Sequence, residues 1–129
     1  MLRGLTTLKQ VWHVDMASHE SVERFARKAS TDLERIDGFV ANAGMMIDQW
    51  AMVEGTESSI TVNVVNTLLL GVLIMPKLTE VGRRFDIKPS LVFIVSVLGY
   101  TMKSELDKSR TGSVFDGLND REKANMDNR

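Results

Sequence analysis

Cysteine is absent from these 129 residues. That removes disulfides, thiolate nucleophiles and Cys-based metal sites together, and it is compatible with a reducing compartment. No metal site is expected. Neither sign of charge dominates: 16 Lys and Arg stand against 17 Asp and Glu, mixed along the chain. No basic field therefore exists to recruit nucleic acid or anionic lipid, and neither is expected as a partner. The N-terminal stretch MLRGLTTLKQ lacks the apolar core of about 7–15 residues that a secretory signal needs. The most apolar stretch, VNVVNTLLLGVLIM from Val62 to Met75, has 14 residues and carries Asn63, Asn66 and Thr67. A membrane span needs about 20 apolar residues, so this stretch reads as a buried helix and no membrane partner is expected.

What is present is ordinary globular composition, 43% apolar and 26% charged, in a length that fits one domain. Three short apolar runs predict strands: VWHVD (Val11 to Asp15), IDGFVANAG (Ile36 to Gly44) and SLVFIVSV (Ser90 to Val97). The last is nearly continuous, which suits a strand covered on both faces, as in a parallel sheet. Between the first two, Val22, Phe25, Ala26, Ala29 and Leu33 recur at helical spacing, with Glu23, Arg24, Arg27 and Lys28 opposite. That predicts an amphipathic helix capped by Ser18. A longer helix is predicted from about Glu57 to about Phe85, apolar nearly all round in its middle, with Pro76 kinking or splitting it. Strand–helix–strand–helix–strand order predicts an α/β domain with parallel strands and right-handed crossovers. Near the end, LNDREKANM reads as a further helix, with Asn119 at its N-cap and Glu122 three residues on.

Polar residues fall at the carboxyl ends of the predicted strands, where ligands of parallel α/β sheets bind. Asn42, Ala43 and Gly44 end the second strand. Small residues there let a flat ligand approach the backbone, but the same tripeptide also makes an ordinary turn. Asp15 ends the first strand and either accepts from a ligand amine or caps the following helix. Ser96 ends the third strand, and a hydroxyl there can donate to a carbonyl oxygen. Asn63 lies on the long apolar helix, as structural polar glue or as part of a proton relay.

The order and spacing of these four positions resemble the short-chain dehydrogenase/reductase family. Asn42 follows Asp15 by 27 residues, Asn63 follows Asn42 by 21, and Ser96 comes after. MPKL at Met75–Leu78 and LNDREKANM at Leu118–Met126 resemble the fungal branch of that family, for which a role in secondary metabolism is suited. The resemblance implies a partial Rossmann-like fold of about three strands: a doubly wound parallel sheet in an αβα sandwich, forming a single partial NAD(P)-binding domain over residues 1–129. It implies NAD or NADP as cofactor, a small-molecule alcohol or carbonyl as substrate, and a cytoplasmic location. It assigns Asp15, Asn42, Ala43 and Gly44 to cofactor binding, with Ala41 in place of the first Asn of an N-N-A-G motif. It assigns Ser96 to positioning the substrate carbonyl, with Val95 before it, and Asn63 to holding a water in a proton relay. The long helix around 57–85 is similar to one that family members use for homo- or hetero-oligomer contacts.

Two family motifs have no counterpart in this sequence. Its only Tyr, Tyr100, is followed by Lys103 at i, i+3 in place of the family's Y-x-x-x-K, and it falls only four residues after Ser96. Tyr100 is therefore expected to be a packing residue. No Gly-rich T-G-x-x-x-G-x-G stretch is present to cradle a pyrophosphate. By resemblance the chain begins late in the helix before the family's third strand and stops just short of the catalytic Tyr. A doubly wound order would leave the first predicted strand about 14 Å from the second, across two strand positions at about 4.8 Å per spacing. The expectation is an oxidoreductase of this family, inactive as this chain, with low solubility. The alternatives are a non-catalytic fragment that docks on a full-length relative through the long helix, or a gene remnant without function.

Overall fold

The computed structural model describes residues 10–96 and 113–122. Helix α1 spans His19–Asp32. Ser18 caps it as expected, its hydroxyl accepting from Ser21 N at 3.2 Å. Val22, Ala26 and Ala29 form its buried face, and Leu33 sits at its C-cap.

A parallel two-stranded sheet follows from the second and third apolar runs. Strand β1, Gly38–Ala41, pairs with β4, Ser90–Phe93, in the register Gly38↔Ser90 to Ala41↔Phe93. Between them lie a short hairpin, β2 (Met52–Val53) and β3 (Thr56–Glu57), and then the long helix. The hairpin turns through Glu54 (φ 52°) and Gly55 (φ 79°). Two positive φ values in a two-residue loop are those of a type I′ turn, and Gly55 supplies the second without strain.

The long helix starts where expected but is not uniform. Helix α2 is Ser58–Ile60, a π-helical segment is Thr61–Asn66, and helix α3 is Thr67–Phe85. Pro76 lies within α3, which continues unbroken through it. The irregular winding comes earlier, at the two Asn residues. The span Ser58–Phe85 is long and apolar enough to cross a membrane by length and composition, yet half of its most apolar window is buried within the fold. It packs against α1 and lies over both β1 and β4. The core is made where these meet: Val22, Ala26, Ala29, Ile36, Leu70, Ile74 and Leu78, with Phe39 and Leu91 from the sheet packed against it. Val22, Ile74 and Val81 are fully buried; burying such a side chain contributes about 1.5–3 kcal/mol.

The fold is the α/β arrangement predicted, with three differences. Val11–Asp15 joins neither sheet. It still alternates: Trp12 and Val14 pack against the core, while Val11, His13 and Asp15 are exposed. Strand pairing fails here because no described neighbour lies beside it, whereas the side-chain pattern persists because α1 and α3 offer an apolar surface. Second, among the described residues the sheet is covered on one face only. Phe39, Ala41, Leu91 and Phe93 face the helices, and Val40 and Val92 are exposed on the other side. Third, Asn119 does not start a helix. It is the C-cap of a short helix α4, Val114–Leu118. Tyr100, Lys103 and the last residues of LNDREKANM lie outside the described residues.

Candidate functional site

Parallel pairing sends both strands out of the sheet at the same end. The last rung is Ala41 with Phe93, followed by Ile94 N donating to Ala41 O at 3.0 Å. Beyond it β1 continues into Asn42, Ala43 and Gly44, and β4 into Val95 and Ser96, all exposed. Two of the positions singled out in sequence thus share one sheet end.

Asn63 is bound to the same place. Its Nδ2 donates to Met45 O at 2.8 Å, and its Oδ1 accepts from Met45 N at 2.8 Å. The residue is exposed rather than buried, and of its two suggested roles the polar glue is visible. A Cβ at Gly44 would sit 3.2 Å from Asn63 Oδ1. The small residue therefore lets the loop lie close against the helix.

Asp15 forms a turn of its own. Ala17 N donates to Asp15 Oδ1 at 2.9 Å and Ser18 N to Asp15 O at 3.2 Å. Asp15 N donates to Ser21 Oγ at 2.9 Å. The carboxylate thus serves the turn that leads into α1 and does not cap the helix, a role taken by Ser18, and it remains exposed.

The structure adds residues that the sequence did not single out. Asn66, fully buried, donates through Nδ2 to Met16 O at 2.7 Å and meets His19 Nδ1 at 2.6 Å through Oδ1. Met16 O can only accept, so the amide orientation is fixed, and His19 Nδ1 must carry the proton. Glu57, also fully buried, accepts from Ser58 Oγ, Ser59 N and Ser59 Oγ through Oε1, and from Ile60 N through Oε2. It caps the long helix. Its own N donates to Asn119 Oδ1 at 2.8 Å, and Asn119 Nδ2 reaches Gly55 O at 3.5 Å. Thr61 Oγ1 ties the same helix to Val53 O at 2.9 Å. A polar residue inside an apolar helical run was the available signal for Asn66, as it was for Asn63. Nothing in the residue order marks Glu57 as buried.

Chemically this sheet end offers main-chain and amide hydrogen-bonding groups beside small residues, with a hydroxyl at Ser96. It carries no phosphate cradle in this sequence. Among the described residues no group of three or more His, Cys, Asp or Glu side chains converges as a metal site would.

Comparison with known proteins identifies the family. The family model described as short chain dehydrogenase matches residues 3–106. Short chain dehydrogenase/reductase dmxR8 of Cryptosporiopsis sp. is 45% identical over 93 residues, which cover 71% of this chain and 29% of that protein. Short-chain dehydrogenase anuD of Penicillium roqueforti is 35% identical over 128 residues, 99% of this chain and 32% of that protein. Short chain dehydrogenase atnD of Emericella nidulans is 38% identical over 122 residues, 93% of this chain and 38% of that protein. The chain therefore spans about a third of the length of these curated relatives. No solved structure matches it.

Proposed function

Because the chain belongs to the short-chain dehydrogenase family, whose members are oxidoreductases that usually use NAD or NADP, we propose that its sheet end is one wall of a dinucleotide and carbonyl site. In this reading Asp15 and Asn42–Gly44 flank the cofactor, and Ser96 donates to the oxygen of a small alcohol or carbonyl substrate. The observation that carries it is the two-way bond between Asn63 and Met45. It holds the exposed small loop beside the exit of β4, where a flat ring would lie against backbone. The residues present fit the ring-side of a nicotinamide dinucleotide. They do not fit its pyrophosphate, for which no Gly-rich loop exists in this sequence.

A bound nicotinamide would supply or accept hydride. The chain's own contributions are positional. Ser96 would orient the carbonyl oxygen. Met45 engages one donor and one lone pair of Asn63, and an amide has two of each. The remainder suffices to hold a water in the relay that the family resemblance implies. No Tyr followed by Lys at i, i+4 is present to move the proton, and such a group contributes about 10²–10⁴-fold in rate. The chain is therefore proposed to be inactive by itself, in the cytoplasm, as a partial NAD(P)-binding domain.

The test is titration of the labelled chain with NADP and with NAD, followed by NMR, alongside an assay of NADPH oxidation with aldehydes and ketones. Shifts centred on Asn42–Gly44 without turnover support the reading. Turnover by this chain would refute its inactivity, and absence of shifts at both loops would refute the site.

A second reading is favoured by one surface. Val64, Leu68, Val72 and Met75 lie along one side of the long helix and are 45–58% exposed. Under it the chain docks through this stripe on another copy or a longer relative. Leu68→Asp should abolish co-purification with such a relative, and survival of the complex would exclude the stripe.

A further inference from the structure

Asn63 and Asn66 lie three residues apart on the π-helical segment and hold two different loops. Asn63 holds Met45, just past the end of β1, and Asn66 holds Met16, next to Asp15. In an α-helix, residues i and i+3 face nearly the same way. Winding to i→i+5 puts more residues in each turn and widens the angle between them. The π segment thus lets two neighbouring Asn side chains diverge to two separate chain turns.

We propose that Asn66 is a positioning residue for the adenine side of the site, setting the Asp15 turn in register with the Asn42–Met45 loop; this rests on the function proposed above. Three features give it that capacity. Asn66 is fully buried, so its bonds to the half-buried Met16 and His19 compete little with water. The Asp15–Ser18 turn otherwise holds itself mainly by local bonds, with Ala17 N and Ser18 N donating to Asp15 and Asp15 N donating to Ser21 Oγ. Its tie to the rest of the site runs through Asn66 and through Glu54 Oε1, which accepts from His19 N at 3.2 Å. Finally, Asn66 and Asn63 share one stretch of backbone, so the spacing between the two loops is the spacing between two side chains of a single helix.

The experiment is amide hydrogen exchange by NMR on the labelled chain, with Asn66→Ala and Asn63→Ala, together with titration by AMP. Loss of a buried bond should raise exchange at Ala17 and Ser18 by about tenfold in Asn66→Ala, with little change at Met45. Asn63→Ala should do the reverse. A merely structural Asn66 would raise exchange at both loops alike, and that result, or unchanged exchange at Ala17 and Ser18, overturns the proposal. Should Asn66→Ala fail to fold, His19→Ala removes the second hydrogen-bond partner of Asn66, and the same pattern at Ala17 and Ser18 is required. AMP should bind Asn66→Ala about tenfold more weakly than the parent chain; equal affinity also overturns the proposal. If the parent chain shows no AMP shifts at all, the adenine half of the proposed function fails, and the exchange pattern still decides whether Asn66 sets the turn.

Discussion

Asn63 and Met45, eighteen residues apart, exchange two hydrogen bonds of 2.8 Å each between a side-chain amide and a main-chain peptide. The loop after β1 is thereby fixed to the helix in place of free solvent. Net, such a bond contributes about 0.5–1.5 kcal/mol, and exposure lets water replace part of it. Asn63→Ala should cost about 1 kcal/mol in urea unfolding. Asn63→Asp should cost more, because a carboxylate oxygen then faces Met45 O in place of a donor. The opposite ranking of the two midpoints would show that the pair is not what fixes the loop.

The close approach of α3 to the sheet depends on a missing methyl. A Cβ at Gly71 would stand 2.4 Å from Phe93 Cζ, nearer than real contacts allow. Gly71→Ala gains about 1 kcal/mol of helix propensity. Overpacking against the Phe93 ring costs about 1–3 kcal/mol, so the clash should win and the variant should be less stable. Adding Phe93→Leu should recover part of the loss. A double-mutant cycle with coupling below about 0.5 kcal/mol would count against the contact.

Glu57 is the most heavily used carboxylate described, buried and accepting from the first turn of the long helix. Glu57→Ala should cost about 2 kcal/mol, at the upper end for a cap, because buried donors lose their partner. Asn119→Ala, which leaves the main-chain donor of Glu57 without its acceptor, should cost less, about 1 kcal/mol. Urea midpoints at constant slope check both. Equal stability of the Glu57 variant would mean water has replaced the cap.

Acid should weaken α3 in a defined way. The Lys77 ammonium, hydrogen-bonded at 2.9 Å, holds the Glu80 carboxyl below its ordinary value. A carboxyl lowered in the folded state contributes stability that is complete above its ordinary range and lost as pH falls through the folded value. Lys28 and Thr31 lower Asp32 in the same sense. Both carboxylates are on the surface, so the effect is small and salt-sensitive. Glu80→Gln should be slightly less stable than the parent at neutral pH and converge with it in acid, which flattens the acid limb of the stability–pH curve. An unchanged acid limb would remove the pair from the account.

Much of this was legible because the signals were local. Val22, Ala26 and Ala29 recur at helical spacing and form the buried face of α1, with Ser18 as its cap. The Asn42–Gly44 and Ser96 positions followed from the rule for strand ends, and they do share one sheet end. What failed needed partners distant in sequence. The pairing of Val11–Asp15 depends on neighbours that alternation cannot supply. The exposure of one side of β4 depends on what lies over the sheet, so a continuous apolar run suggested two covered faces where the described residues cover one. Asn119 carries the letters of an N-cap, but its side chain is engaged 62 residues away at Glu57. Glu54–Gly55 was a hairpin signal that went unread, because strands of two residues have no period to detect.

The uncovered sheet face carries the last prediction. Val40, Val92 and Ile94 are 59%, 42% and 55% exposed, on a parallel sheet of a kind normally covered on both sides. Among the described residues β1 and β4 pair only with each other, so each also presents an outer edge. Apolar area and open edges favour association, at about 25 cal/mol for each Å² removed from water. The isolated chain should self-associate and bind a hydrophobic dye. Val92→Lys should reduce both, because a charge on that face opposes stacking while its pairing with β1 uses only backbone. Val40→Lys should act alike, on the neighbouring strand. Leu68→Asp, on the helix stripe across the molecule, should leave dye binding at the sheet unchanged. Sedimentation of the three variants against the parent separates the two surfaces, and a sharp, cooperative melt of a monomeric parent chain would show that the face is not adhesive.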